Sequence, residues 1–368
     1  MNSNRTESPS VRASSVNLFQ LGAIVFVLAA TFYFLLPESR IYPTAWTPAA
    51  APSYEGAYAP NDRLASIERL GSGAGIGPED VAVDGRGRVY GGMVDGRIVR
   101  TNPDGTDPED FADTVGRPLG MDFDRAGNLI VADAYQGLLS IAPDGTIRRL
   151  ARGHGGRPFR LTDDVDVAPD GTIYFTDASD RFYLYDYVLD LLEHQPNGRL
   201  LAYDPRADSV TAVLSSLYFA NGVAVSPDGD FVLVVETGRY RVMRHWLQGP
   251  RRGESEVFID NLPGFPDGIS SDGRGTYWLA LVSPRDRTID YLLPRPTARK
   301  LLARLPRKLL PAPKRYSFVL GLDGDGNVVH NLQDPDGGFA QISSVERYGD
   351  DLYFGSLAEN AMGRLPAP

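Results

Sequence analysis

From residue 63 to the C-terminus the apolar positions fall in short runs that alternate with polar ones, and one pattern recurs. Each unit opens on a Pro- or Gly-flanked start, continues as a short alternating stretch, turns at Asp/Gly, and returns as an apolar or aromatic stretch. GPEDVAVDGRGRVYGGM begins at Gly77, RPLGMDFDRAGNLIVAD at Arg117 and LTDDVDVAPDGTIYFTD at Leu161; FANGVAVSPDGDFVLVVE begins at Phe219, FPDGISSDGRGTYWLAL at Phe265 and QISSVERYGDDLYFGSL at Gln341. A period of two predicts β-strands, and turns such as Asp84-Gly85, Pro169-Asp170-Gly171 and Pro227-Asp228-Gly229 join antiparallel neighbours. Units of roughly 40–75 residues are each too small to bury a core alone, so six of them predict an all-β fold, a six-bladed β-propeller of four-stranded blades. The stretch Arg63–Leu70 is expected to complete the last blade and close the ring.

An apolar run precedes the pattern, and two segments break it. Val16 to Leu36 is one uncharged apolar run, long enough to cross a hydrocarbon core of roughly 30 Å as a helix. Arg5 and Arg12 precede it, which predicts a signal-anchor with residues 1–15 cytoplasmic and the propeller on the non-cytoplasmic side. Cleavage near Ala49 is the alternative, though the apolar core of a signal peptide is usually only about 7–15 residues. Residues 37–62, rich in Pro, Ala and Tyr, read as a linker to the propeller at 63–368. RFYLYDYVLDLLEH, Arg181 to His194, has helical spacing inside the third unit, and the basic stretch 284–315 interrupts the fifth. These two inserts read either as a lid over the channel mouth or, for the basic one, as a contact for anionic lipid, against the plain alternative of surface excursions.

Composition narrows the partners. A formal charge of −10 argues against nucleic acid, which needs a basic surface. Without cysteine there is neither a disulfide nor thiolate chemistry. With four histidines and no GxSxG elbow, a serine-hydrolase triad finds no support. His154, His194, His245 and His330 are expected in solvated or packed roles. GSGAGIG, Gly71 to Gly77, precedes a strand rather than opening a helix, so it is read as a turn.

The third residue of each unit falls in one register: Glu79, Leu119, Asp163, Asn221, Asp267 and Ser343. The innermost strand of a blade faces the propeller axis, so equivalent positions ring one end of the channel. Three carboxylates crowded there would repel unless protonated or neutralised. A hard divalent cation with oxygen ligands resolves the conflict, and the all-oxygen set at Glu79, Asp163, Asn221 and Asp267 favours Ca²⁺ over zinc, other divalent cations remaining open. The alternative is ordinary strand-start and turn chemistry, which is how Asp84, Asp124, Asp170 and Asp228 are read.

These residues also carry a resemblance. With VADAYQGL, DVDVAPDGTIYFTDAS, NGRLLAYD, FANGVAVSPDGDFVLVVET, NLPGFPDGIS, RYSFVLGLDGDGNVVHNLQDPDG and LYFGSL, the chain from about residue 64 to 365 resembles the strictosidine-synthase-like branch of the superfamily that includes gluconolactonase/regucalcin and paraoxonase. The resemblance implies a catalytic Ca²⁺ in the channel and hydrolysis of a small-molecule lactone or aryl ester. The superfamily's metal ligands fall on Glu79, Asn221 and Asp267. A fourth position, usually Asn in an Asn-Asp pair, is here Asp163 followed by Asp164. The paraoxonase catalytic His would fall at Leu119, and the strictosidine synthase Glu at Ser343, so both groups are missing. The expected function is a Ca²⁺-dependent hydrolase with Asp163 or Asp267 as the base. The alternatives are a binding or scaffold propeller with a structural metal and, behind it, a condensing enzyme.

Overall fold

The computed structural model describes residues 17–35 and 38–368. From residue 68 onward the chain winds into six four-stranded antiparallel sheets arranged as blades around a channel. The first strand of each sheet is innermost: Val81–Val83, Pro118–Phe123, Thr162–Val167, Ala220–Val225, Gly264–Ser271 and Ile342–Tyr348. Neighbouring first strands lie against one another around the ring. Closure follows the expected route, with Glu68–Leu70 pairing antiparallel to Met362–Pro366 as the outer strand of the last blade. Arg69 Nη1 stands 2.8 Å from Glu359 Oε2 across that seam.

The blades cohere by burying the alternating apolar positions between sheets. Ala82, Tyr90 and Ile98 of the first blade pack on Met121, Leu129 and Val131 of the second. Trp278, Ala280 and Val319 of the fifth pack on Val345, Leu352 and Phe354 of the sixth. The predicted turns are present, and their aspartates serve the turns. Asp84 Oδ1 accepts from the backbone N–H of Arg86 and Arg88, at 3.0 and 2.9 Å. The left-handed residue there is Gly87, φ +79°, two positions beyond the Asp-Gly dipeptide.

Inner strands leave N–H and C=O groups facing the next blade, and polar side chains bind them in one rotational sense. Asp80 accepts from Met121 N–H at 2.7 Å and Asp122 from Val167 N–H at 2.9 Å. Asp164 and Asp166 accept from the N–H groups of Val223 and Val225 at 2.8 and 2.6 Å. Ser270 Oγ donates to the Val345 carbonyl at 2.6 Å, and Ser343 Oγ donates to the Glu79 carbonyl, completing the circuit from last blade to first.

Both inserts lie at the channel end where the inner strands begin. The first forms a 3₁₀ turn, Leu184–Asp186, and a helix, α2, Tyr187–Glu193, numbered after the N-terminal helix α1, Leu18–Leu35. The second forms α3, Arg287–Leu292, α4, Pro296–Leu302, and a 3₁₀ turn, Arg307–Leu309. The segment read as a linker runs between them: Ile41 is fully buried among Phe182, Leu189 and Leu192. Buried Arg299 donates to the carbonyls of Leu192 and Leu293, each at 2.7 Å, and to that of Thr44, fastening insert, linker and insert together.

Of the predicted span 16–36, residues 16 and 36 lie outside the described residues, as do Arg5, Arg12 and the tail 1–15. The 18 residues of α1 rise about 27 Å, short of a hydrocarbon core of roughly 30 Å. Among the described residues no helix is long and apolar enough to cross a membrane.

Candidate functional site

Glu79, Asp163, Asn221 and Asp267 are brought together at the floor of one cavity of about 790 Å³, whose walls are the two inserts. Its lining is largely apolar, with Leu161, Leu191, Phe219, Phe265, Ile289 and Leu302 above the carboxylates. The two other positions of the register go elsewhere. Leu119 is buried beside Ala134, Leu161 and Phe219, and Ser343 serves the closure bond to the Glu79 carbonyl.

The close approach of the inner strands is what packs the carboxylates. Gly222, next to Asn221, has no room for a side chain: an added Cβ would stand 2.5 Å from the Asp267 carbonyl oxygen and 2.6 Å from Ile269 N. Asn221 Nδ2 donates to Asp267 Oδ1 and, at 3.2 Å, to Thr237 Oγ1, which itself donates to the Pro266 carbonyl at 2.7 Å. Asp267 is therefore oriented by a chain of polar contacts from the fourth blade.

Arg117 is the site residue that the register left out. Its Nη1 donates to the carbonyls of Gly77 and Gly92 at 2.9 and 2.8 Å, and its Nη2 lies 2.7 Å from Glu79 Oε2. One of the three carboxylates thus already has a cationic partner. The clue was its place at the head of the second unit, two residues before Leu119, but its partner lies in another blade.

Asp163 is the contrasting case. It is 6% exposed and, among the described residues, its carboxylate has no hydrogen-bond partner. Burial first, then the negative charges of Glu79 and Asp267, push its pKa well above the ordinary carboxylate range. Burial and Glu79 do the same to Asp267. Burial also raises Glu79, with Arg117 opposing. Such a set accepts protons or a hard cation.

Among the described residues, no three Asp, Glu or His side chains converge closely enough to share one ion. Glu79 is turned to Arg117 and Asp267 to Asn221. The donor chemistry still suits a hard cation, because the unpartnered Asp163 carboxylate and two more carboxylates face one cavity.

A second cavity of about 150 Å³ lies farther along the channel, lined by Asp80, Asp122, Asp164, Asp166 and Glu346. Burial pushes Asp80 up to about 7 and Glu346 well above its ordinary value. The first four carboxylates are the ones that hold inter-blade N–H groups.

Among the histidines, His154 lies in a two-residue hairpin strand, His245 Nδ1 meets Ser255 Oγ at 2.9 Å, and His330 stacks on Trp278 at 5.2 Å. His194 is the exception to a bland role: it is 3% exposed, stacked on Trp46 at 4.5 Å, and among the described residues neither ring nitrogen has a partner. Burial, with Arg239 and Arg299 nearby, lowers its pKa to about 3, so the ring is neutral.

Comparison with known proteins agrees with this architecture. Residues 163–250 match the family model for strictosidine synthase, and residues 56–101 the model for the strictosidine synthase-like N-terminal region. The adipocyte plasma membrane-associated protein of Salmo salar is 34% identical, covering 98% of this chain and 92% of the relative. Strictosidine synthase-like 4 of Arabidopsis thaliana is 38% identical over 83% of each chain. Among solved structures, a gluconolactonase from Xanthomonas campestris superposes with a TM-score of 0.61 at 18% identity, covering 91% of this chain and 99% of the other. The calcium-binding protein regucalcin of Agrobacterium tumefaciens gives 0.56 at 17% identity, covering 81% and 90%. At these identities the solved structures establish the shared propeller fold.

Proposed function

This chain belongs to the strictosidine synthase-like family, and from that premise we propose that it is a Ca²⁺-dependent hydrolase of lactones or aryl esters, working at the cavity floor. The observation that carries the proposal is the unpartnered, buried Asp163 carboxylate beside Glu79 and Asp267 beneath apolar walls. Glu79, Asp163, Asn221 and Asp267 would hold the ion. When bound, it would supply Lewis-acid polarisation of the substrate carbonyl. The remaining work falls to the protein's own groups. Asn221 orients Asp267, Arg117 holds Glu79 in place, and the inserts exclude bulk water from the ester. Asp163 or Asp267 would take a proton from the attacking water as its oxygen adds to the carbonyl carbon. The C–O bond to the leaving group then breaks, and the same carboxyl returns that proton to the departing alkoxide or aryloxide.

The superposition partners include a gluconolactonase and a calcium-binding regucalcin, which makes these chemistries the first to try. The test is a panel of aryl esters and lactones with the chain in chelator and in added Ca²⁺. Hydrolysis that chelator abolishes and Ca²⁺ restores supports the reading. Tight Ca²⁺ binding without turnover on any member favours a second reading, a scaffold propeller with a structural ion. The observation behind that second reading is Leu119, buried where an imidazole would have to stand.

We also place the chain on a membrane through residues 16–36, with the N-terminus cytoplasmic and the propeller on the other side. Support comes from the exposed, uncharged face of α1, including Phe19 and Phe26, and from the salmon relative's name. Release from membranes by salt or alkali without detergent would defeat this assignment.

A further inference from the structure

The connection from α1 into the propeller is short in sequence. Leu35 ends the helix and Ile41 is already fully buried between the inserts, so five residues, 36–40, join them in six Cα–Cα steps. At no more than about 3.6 Å per residue, the insert face stays within roughly 20 Å of the end of α1. It is in fact closer: Arg304 Nη2 donates to the Tyr33 carbonyl at 2.9 Å, and its guanidinium lies over the Tyr33 ring at 4.3 Å. Tyr33 sits in the last turn of α1, where aromatic side chains favour the lipid–water interface.

The surface so placed has its own chemistry. Residues 284–315 carry ten bases against two acids, in a chain whose formal charge is −10. Arg287, Arg295, Lys300, Arg307 and Lys308 are exposed, and among the described residues none of the five is in an ion pair. Between them stand exposed apolar side chains: Tyr291 at 61%, Leu301 at 43% and Leu309 at 64%. Bases interleaved with exposed apolar groups suit a plane of anionic headgroups over acyl chains. The cavity opens on the same face, since Tyr185, Arg307 and Leu309 both line it and stand exposed.

We propose that the face formed by α3, α4 and the Arg307–Leu309 turn docks on an anionic lipid surface and turns the cavity mouth onto the bilayer. An amphiphile dissolved in the leaflet then reaches the cavity without crossing open water. The proposal rests on the anchoring of residues 16–36 and is independent of the hydrolytic chemistry.

The absence of cysteine makes a clean test available. The full chain is labelled with an environment-sensitive fluorophore at Leu301→Cys, on the docking face but off the cavity. A second preparation is labelled at Ala126→Cys, in an exposed turn at the opposite channel end. Each is reconstituted in nanodiscs of phosphatidylcholine alone or with phosphatidylserine, and quenching by a lipid-tail quencher is measured. The expected result is quenching at 301 that increases with phosphatidylserine, none at 126, and loss of the increase in the 301-labelled double variant Arg307→Glu, Lys308→Glu. Incorporation with an unquenched 301 probe, or equal quenching at both sites, overturns the docking face while leaving the anchor intact. Failure of the chain to enter nanodiscs overturns both the anchor and the docking face.

Discussion

Arg117 Nη2 lies 2.7 Å from Glu79 Oε2, while the same guanidinium holds the carbonyls of Gly77 and Gly92. The second blade thereby supplies the counter-charge for a carboxylate that the first blade delivers to the channel. The side chains are 6% and 16% exposed, so the pair is largely withdrawn from water.

Removing one partner of such a pair leaves an uncompensated charge, at a cost of about 3–5 kcal/mol. Arg117→Met should therefore lower the melting temperature markedly in chelator. Because Glu79 then lacks its cation, added Ca²⁺ should recover more stability in the variant than in the parent. Melting curves of both proteins with and without Ca²⁺ measure this. An equal Ca²⁺ increment in the two would mean that Glu79 does not contribute to cation binding.

The glycine beside Asn221 gives a second expectation. A methyl at Gly222 would be driven against the Asp267 carbonyl oxygen and Ile269 N, both backbone atoms that cannot step aside singly. Gly222→Ala should destabilise by roughly 1–3 kcal/mol, as overpacking does, and should weaken Ca²⁺ binding by prising the fourth and fifth blades apart. Gly171→Ala serves as the control, because there the cost is strain at φ +91° in an open turn far from the site. Similar loss of stability with Ca²⁺ affinity lowered only in Gly222→Ala is the expected pattern, read by calorimetry. Equal affinities would refute the strand-spacing argument.

Asp190 in the first insert should contribute to the pH dependence of stability, beside the raised carboxyls of the channel. Its Oδ1 accepts from Ser179 Oγ at 2.7 Å and Asn197 Nδ2 at 2.8 Å, yet burial raises its pKa from 3.8 to about 7. A carboxyl raised in the fold contributes stability that is fully present below its unfolded value and is lost as pH rises through its folded one. The metal-free protein should thus melt at progressively lower temperature from about pH 4 to pH 7. Asp190→Asn keeps an acceptor for both donors and removes the titration, so its profile should be flatter over that window. Parallel profiles for the two proteins, separated by a constant offset, would show that Asp190 has no share in the pH dependence.

The legible part of this molecule was whatever repeats. Strand alternation and the turn aspartates announce six blades because each unit states the same local rule, and the shared register brings Glu79, Asp163, Asn221 and Asp267 to one cavity floor. The inserts were legible as interruptions of that rule. Arg117 was not, because its role depends on which backbone carbonyls the neighbouring blade presents, and no local pattern encodes that. The inter-blade bonds of Asp80, Asp122 and Asp166 were hidden for the same reason. The stretch read as a linker packs Ile41 among Phe182, Leu189 and Leu192, and Trp46 on His194. That packing needs an insert more than 140 residues away, as the bond from Gln195 Nε2 to Thr44 Oγ1 across 151 residues illustrates.

Asp163 separates the ligand role from the base role within the proposed chemistry. Asn has nearly the shape of Asp but neither its charge nor its basicity. If Asp163 is a ligand alone, Asp163→Asn still offers an oxygen to the ion. Ca²⁺ affinity should fall, and saturating Ca²⁺ should restore turnover. Loss of the charge also relieves the repulsion that Glu79 and Asp267 impose, so this variant should melt higher than the parent in chelator. If Asp163 is the base, the same variant should lose roughly 10²–10⁴-fold in kcat even at saturating Ca²⁺, with the gain in chelator unchanged. Asp267→Asn gives the kcat loss instead if the base is Asp267, whose carboxylate Asn221 already holds in place. That no described residue hydrogen-bonds the Asp163 carboxylate favours the ligand role, since a base is ordinarily oriented by a third group. Steady-state kinetics of both variants across a Ca²⁺ titration measure the difference. Full activity in both at saturating Ca²⁺ would remove each from the proton-transfer step.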